Sequence, residues 1–529
     1  MKTALKTLPE SAEALKTLLL SERELSVQKN AELKKKDAEI IQLKQQYQHM
    51  LEQFRLSQKK QFGKSSETST DQLPLFNEAE QIVEEEASQS SAEANAQTPA
   101  RQKPKRKPLP KDLPRETVLH DLAEADKVCD CCGGPLHQMG CDTREQLEFI
   151  PATIKVIEHV RPKYSCRSCE KQGTQVGIKM APLAASPIPK SMATPSLLSQ
   201  IITSKYQYAL PLYRQESLFK QYHIELNRKT MSSWMLAITP LLKILYDRMR
   251  HIQLQQQVIH ADETPLKVIN ENKHTCYMWV YCTGTDSPPE NRRMKPDRAP
   301  NSVLYDYKNS RSGQCAHDYL QNFKGYLQVD GYAGYEQTDA TLAGCWAHAR
   351  RKFIDAQTVQ VKGKTGKADW AINHIQKLYR IEKEIKDKTE DEKQAIRQKQ
   401  SKVLLDQFKT WLDTSALHVP PKSAIGKAIA YSLRQWPKLN RYIENGNLSI
   451  DNNRAERAIK PFVIGRKNWL FANTAKGAQA SAVLYSIIET AKANGLIPFD
   501  YLKYLLEELP GKPGDIDYLL PWNVALTEK

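Results

Sequence analysis

Five short runs rich in β-branched and aromatic residues, between positions 258 and 348, limit the folds open to this chain more than any other feature. VIHADETPLKV, CYMWVYCTG and SVLYDYKN follow one another across loops. Ser312 then caps a helical stretch, SGQCAHDYLQNF, and GYLQVDGY and TLAGCWAH supply a fourth and a fifth strand. Three strands, a crossover helix and further strands describe an α/β domain with a mixed sheet. In the first strand, period two puts Val258, His260 and Asp262 on one face and Ile259, Ala261 and Glu263 on the other. Only one of the two adjacent acids therefore enters a shared site. An acid inside a strand pattern is costly to bury unless it binds a metal or another partner. Asp330 repeats the case: it ends the run GYLQV, and Gly331 follows where the chain must turn. A carboxylate at a strand end faces the crevice where α/β sheets place their ligands.

A third acid, Glu456, falls on a helix expected to begin near Asn452, with Ala455 and Ile459 on its buried side and Arg454, Arg457 and Lys460 around it. Two Asp on neighbouring strands and a Glu on a later helix can hold two divalent cations about 3.5 to 4 Å apart. Hard oxygen ligands favour magnesium or manganese. In a chain with 61 Asp and Glu, such spacing alone is a weak signal.

At 529 residues the chain is several times the usual domain size of roughly 100 to 200 residues, so several domains are expected. Residues 1–60 read as a helix, because no Pro or Gly interrupts positions 12–58. Leu33, Ile40, Tyr47 and Phe54, with Leu43 and Met50 interleaved, form a heptad seam that Lys36 interrupts. The pattern fits a coiled coil of about three heptads, or a single solvated helix. Residues 61–118 read as a disordered linker of Ser, Glu, Gln, Ala and Pro, and 119–180 as a cysteine module. Residues 190–250 hold two helices, one from Pro211 and one capped by Asn227, joined by a short turn. That shape suits a helix-turn-helix presenting Arg228 and Lys229 to DNA, and equally an ordinary helical hairpin. The α/β domain spans 255–475 with a charge-rich helical insertion at 367–447, and 476–529 close the chain as a pair of helices.

The formal net charge is +16, from 77 Lys and Arg against 61 Asp and Glu, which favours a polyanionic partner such as nucleic acid. The linker is nearly neutral, so the basic excess lies elsewhere. No stretch approaches the 18 or more apolar residues of a membrane span, and the N-terminus lacks the features of a signal peptide, so a cytoplasmic protein is expected. Ten cysteines are too few for a disulfide framework. Cys129 with Cys132, and Cys166 with Cys169, instead form two C-x-x-C knuckles with 33 residues between them, the pattern of a tetrahedral structural zinc. Cys131 and Cys141 stand nearby, and Cys131 can replace a neighbour in the ligand set.

FGKSSE at residues 62–67, the paired knuckles, HADETPLKV, VDGYAGY, GCWAHARRKF, DNNRAERAIKPFVIGRKNW and ETAKANG resemble, in order and over nearly the whole chain, the transposases of the insertion-sequence-66 family of bacterial mobile elements. The resemblance implies a ribonuclease-H-like catalytic core of the Asp-Asp-Glu type, whose roles fall on Asp262, Asp330 and Glu456. These are 68 and 126 residues apart, and the insertion accounts for the longer gap. Glu489 stands as a rival third acid, and the basic surroundings of Glu456 favour it over Glu489.

The implied activity is that of a DNA transposase binding terminal inverted repeats and target DNA. It cleaves at the element ends and transfers the freed 3′ hydroxyl, with two magnesium or manganese ions for chemistry and zinc for structure. A homo-oligomer through the N-terminal helix, and accessory proteins of the same element, would accompany it. The competing expectation is a non-catalytic DNA-binding repressor or domesticated remnant, against which the three intact acids argue. His348, at the start of the helix after the fifth strand, is a candidate DNA or metal-site contact or a helix cap. Arg350, Arg351, Lys352, Arg466 and Lys467 are candidates for phosphate contacts or solvated charge. Trp346, Trp469 and Phe471 are candidates for stacking on bases or for core packing.

Overall fold

The computed structural model describes residues 11–62, 117, 153–164, 178–272, 275–285, 299–360 and 366–524. The expected zinc ligands Cys129, Cys132, Cys166 and Cys169, their neighbours Cys131 and Cys141, and nearly all of the linker lie outside the described residues. The chain divides into two compact units, residues 88–182 and the remainder. In the first of these, β1 (Lys163–Tyr164) pairs antiparallel with β2 (Lys179–Met180), and Arg161 Nε donates to Ala181 O at 2.7 Å beside them.

In the larger unit, α1 (Ala12–Phe62) is a single long helix. Leu33, Ile40, Leu43, Tyr47, Met50 and Phe54 are all exposed on it, so the heptad seam has no partner among the described residues. Near its end, Arg55 donates to Val359 O at 2.8 Å and Glu52 accepts from the amide of Ala424 at 3.1 Å. Three helices follow, α2 (Pro195–Tyr206), α3 (Leu212–Gln221) and α4 (Arg228–Gln253). Asn227 caps α4 as expected, its side chain accepting from Lys229 N at 2.7 Å. Arg228 and Lys229 are exposed there, while Met235, Ile238, Leu242, Leu245 and Met249 are buried, so α4 continues as a core helix.

The sheet has the order β5-β4-β3-β6-β7, from β3 (Val258–Leu266), β4 (Cys276–Thr283), β5 (Ser302–Lys308), β6 (Tyr326–Gln328) and β7 (Thr341–Ala343). β3, β4 and β5 pair antiparallel, whereas β6 and β7 run parallel to β3. The crossover between the two halves is α5 (Gly313–Leu320), capped by Ser312. After β7 come α6 (Trp346–Thr358), the insertion helices α7 (Lys367–Glu384), α8 (Glu390–Ile396), α9 (Lys402–His418) and α10 (Ala424–Leu439), and then α11 (Asn453–Trp469), α12 (Ala475–Ala493) and α13 (Pro498–Glu508).

The strand alternation sorts the sheet into two faces. Ile259, Ala261, Trp279 and Tyr281 pack under α5, whereas Met278, Val280 and Cys282 pack against α4, α11 and α12. A third cluster joins Val258 and Ala343 to α6 and the insertion through Trp346, Phe353, Phe408 and Ile429. Packing crosses the expected boundaries at 250 and 475. Residues of α2, α4, β4, β5, α11, α12 and α13 share one hydrophobic core, so the C-terminal helices are a layer of the sheet domain. α12 also satisfies the backbone of edge strand β5: Ser486 Oγ accepts from Tyr305 N at 2.8 Å, and Thr490 Oγ1 accepts from Val303 N at 3.1 Å and donates to Val303 O at 2.9 Å.

Candidate active site

The register of the parallel strands brings the first two acids together. β3 and β6 pair at a constant offset of 68 residues, from Val258 with Tyr326 to His260 with Gln328. Asp262 and Asp330 continue that offset, so Asp262, in the middle of β3, stands level with Asp330, two residues past the end of β6. β6 and β7 pair at an offset of 15, which brings Cys345 to the same level. Asp262 Oδ1 accepts from the amide of Glu263 at 2.9 Å, and Asp330 Oδ1 from the amide of Tyr332 at 2.9 Å. Glu263 turns to the opposite face, where Tyr335 donates to it at 2.6 Å and Arg311 pairs with it. One acid of the adjacent pair enters the site, as the alternation requires.

Glu456 reaches the same place from α11, on contacts between chain segments more than 100 residues apart. Asn452, the N-cap of α11, donates through Nδ2 to Ala261 O at 2.8 Å, meets His260 Nδ1 at 3.2 Å through Oδ1, and donates its own amide to Cys345 Sγ at 3.2 Å. Trp346 N donates to Ile450 O at 3.1 Å, and Tyr379 donates to Asp451 at 2.9 Å. The start of α11 is thereby fixed to β3, to the β7–α6 junction and to the insertion. Cys345, Asp451 and Asn452 were missed as site residues. Asn452 lies within DNNRAERAIKPFVIGRKNW, but an uncharged side chain gives no sign in sequence that it will tie three elements together.

Glu456 is only 5% exposed, and neither carboxylate oxygen has a hydrogen-bond partner; buried His348 Nδ1 has none either. His348 Nδ1 lies 3.3 Å from Glu456 Oε1, and Arg351 lies 3.7 Å from Oε2. Burial pushes Glu456 up to about 7 despite Arg351, with Asp451 and Asp330 adding to the rise. Burial, and Arg351 next, hold His348 down to about 4, so near neutral pH the imidazole is uncharged and its approach to Glu456 is not an ion pair. Asp262 is raised well above the usual carboxylate range by burial, then by Glu263, Asp330 and Glu456. The three acids therefore feel one another's charge.

Cys345, His348 and Glu456 each offer a donor atom within 4.8 Å of the others, the one such grouping found among the described residues. The Glu456 carboxylate, whose buried oxygens lack hydrogen-bond partners, and the neutral imidazole fit a divalent cation, since a bound ion would satisfy atoms whose burial is otherwise costly; Asp262 and Asp330 are not in that grouping.

The insertion closes one side of the site. Tyr431 donates to Asp330 O at 2.9 Å, and Gly331 adopts φ +99° with Tyr431 and Gln435 3.2 Å from where a Cβ would stand, so glycine is required. The rival Glu489 lies elsewhere: it is buried on α12 and paired with Lys492 at 2.9 Å. Among the basic residues, Arg350 differs from the surface role expected of it. It is 4% exposed, as befits a position on α6 between buried Ala349 and Phe353. Arg454 is also buried, and the cations nearest Glu456 come from Arg351 and Arg457. Arg466 is half-buried, its Nη1 3.4 Å from Thr264 Oγ1, and Lys467 is exposed. Trp346 is a core residue whose Nε1 donates to Leu439 O at 2.9 Å, which removes it from base stacking.

No described helix is long and apolar enough to cross a membrane. Residues 190–480 match the signature described as "Transposase IS66 family", 126–170 the "zinc-finger binding domain of transposase IS66", 49–118 "Transposase C of IS166 homeodomain" and 486–522 the "IS66 C-terminal element". Relatives in Sinorhizobium fredii (strain NBRC 101917 / NGR234) include the uncharacterized protein y4jD, 34% identical over 413 residues that cover 75% of this chain and 78% of that one. The uncharacterized protein y4qI is 32% identical over 420 residues, covering 77% and 75%. No solved structure matches the chain significantly. With four family signatures in chain order, and with relatives aligned over three quarters of its length, this chain belongs to the IS66 transposase family and carries that family's zinc-finger and DNA-binding modules.

Proposed function

We infer that this transposase cleaves DNA at the ends of its element and joins the freed ends to target DNA, using Asp262, Asp330 and Glu456 as a divalent-cation site. The observation that carries the reading is the parallel register of β3 with β6, which continued past His260 and Gln328 sets Asp262 level with Asp330, with buried Glu456, whose oxygens lack hydrogen-bond partners, on the helix that Asn452 ties to β3. The sheet order supports a ribonuclease-H-like core, in which three antiparallel strands are followed by two parallel ones. Both steps are in-line phosphoryl transfers. In the first, the oxygen of water bonds to phosphorus and a 3′ oxygen leaves, taking a proton. In the second, that 3′ hydroxyl displaces one oxygen of a target phosphodiester, so one phosphodiester is exchanged for another.

Asp262, Asp330 and Glu456 would hold the cations, with the His348 nitrogen beside Glu456. Bound there, magnesium or manganese supplies an activated nucleophile and stabilises the leaving oxygen. Arg351 tempers the charge gathered on Glu456, and Asn452 fixes its distance from β3. Tyr431 holds the end of β6, which keeps Asp330 at its level. Structural zinc in the 126–170 module, on Cys129, Cys132, Cys166 and Cys169, is part of the same reading. DNA contacts by Arg228, Lys229, Arg351 and Lys467 complete it.

The test pairs gel-shift affinity with magnesium-dependent nicking of a duplex carrying the ends of the element. Asp330→Asn keeps shape and removes charge, so nicking should fall by several orders of magnitude while DNA binding persists. Wild-type protein that binds but never nicks would identify a DNA-binding protein without this activity. Loss of folding and binding together in Asp330→Asn would make Asp330 a structural acid, and an active Glu456→Gln beside an inactive Glu489→Gln would move the third acid to Glu489.

A further inference from the structure

Beyond the acids, β3 leads to an exposed apolar tip. On the face of β3 that carries Asp262, the next residue is Thr264, and Arg466 on the last turn of α11 reaches it. α11 then ends at Trp469, and the next two residues, Leu470 and Phe471, are 64% and 41% exposed. Leu470 adopts φ +62° and ψ −45°, the centre of a γ-turn closed by Phe471 N donating to Trp469 O at 2.8 Å, a strained conformation for a non-glycine residue. The surroundings hold it there. Leu470 N donates to Arg466 O at 2.7 Å, Ala472 N to Lys267 O at 3.0 Å, Ile269 N to Ala472 O at 3.0 Å and Asn270 N to Asn473 O at 3.0 Å. On the other side, Asn468 donates to Ala209 O at 2.9 Å, beside exposed Tyr208. The tip is thus an apolar pair held by hydrogen bonds to the extension of the catalytic strand, with Arg466 and Lys467 one turn before it.

We propose that Leu470 and Phe471 insert into DNA flanking the cleavage site, roughly 20 Å along α11 from Glu456 at 1.5 Å per residue, and take up the face of a base unstacked there. This inference rests on the reading of Asp262, Asp330 and Glu456 as the cleavage site. Charge complementarity selects the occupant: the apolar tip follows cations on a strongly basic chain, and a base is the apolar surface that comes attached to phosphates. A rigid, strained tip is suited to unstacking because it need not be ordered on binding. Prying one base from its neighbours there bends the duplex, and the bend leans the flanking strand toward the acids.

The experiment uses the full chain and a duplex carrying the element end, with 2-aminopurine placed in turn at each base pair within about one helical turn of the scissile phosphate. Without magnesium, wild type should raise the fluorescence of one such position severalfold, and Asp330→Asn should do the same, since unstacking needs no cleavage. Phe471→Ala and Leu470→Gly should lose the rise while keeping duplex affinity within about twofold, and should nick the paired duplex about fivefold or more slowly, the loss expected of one stacked base. A substrate mismatched at that position should restore their nicking, and Phe471→Trp should keep the signal. An unchanged fluorescence rise in both variants would overturn the proposal, as would equal nicking defects on paired and mismatched duplexes. If wild type never nicks but the rise appears and depends on Phe471, the cleavage reading fails and the unstacking surface stands.

Discussion

Glu456 is held in a costly state by its neighbours. Its carboxyl ionises near 4.5 in a solvated chain and near 7 in the folded one, so between those values the folded state binds more protons than the unfolded state. Stability from this group is therefore undiminished below about 4.5 and is lost as pH rises through about 7, by on the order of 3 kcal/mol. Glu456→Gln removes the penalty. It should raise the unfolding midpoint of metal-free protein at pH 8 and leave it nearly unchanged at pH 4.5. Manganese added at pH 8 should raise the midpoint of wild type and not of the variant. Calorimetry showing a variant less stable than wild type at pH 8 without metal would mean that Arg351 compensates the buried charge after all. His348, uncharged beside it, adds a donor without adding to the charge conflict.

Among the elements, α1 carries an unresolved demand. Six large apolar side chains at heptad spacing lie exposed along it, and a helix of this kind gains little by facing water. A second copy of the same helix would cover the seam and bring two sheets to the two ends of one element. Deleting residues 1–62 should halve the mass found by sedimentation equilibrium; an unchanged mass would leave the seam without that role. The end of α1 is anchored separately, through Arg55 and Glu52, so its loss should also loosen the start of α10.

Across the larger unit, one hydrophobic core runs from α2 through the sheet to α13, and the edge of the sheet is sealed by side chains of α12. A fragment of residues 255–475, which the sequence marks as a domain, should therefore fail to fold alone, giving aggregated protein without the cooperative transition of the full chain. Within the full chain, Ser486→Ala strips a buried partner from Tyr305 N and should cost about 1–3 kcal/mol in denaturant unfolding. A cooperative, soluble 255–475 fragment would restore the boundary at 475.

The local sequence set everything that depends on a short period. Alternation over Val258–Leu266 determined that Asp262 and Glu263 part to opposite faces, Ser312 and Asn227 marked helix starts, and the run of strands and crossover helix determined a mixed sheet. Nothing local says what a buried face packs against. Arg350 and Arg351 are adjacent, and only the position of the insertion turns one into the core and the other toward Glu456. His348 and Glu456 are 108 residues apart, and Asn452 meets His260 across 192. Those approaches depend on the path of the whole chain, because an uncharged side chain or a helix face acquires its partner only when distant segments close a common core. The tertiary structure alone decided that α2, α4, the sheet and α11 to α13 share one hydrophobic core, that Asp262 feels the charge of Glu456, and that Glu489 pairs with Lys492.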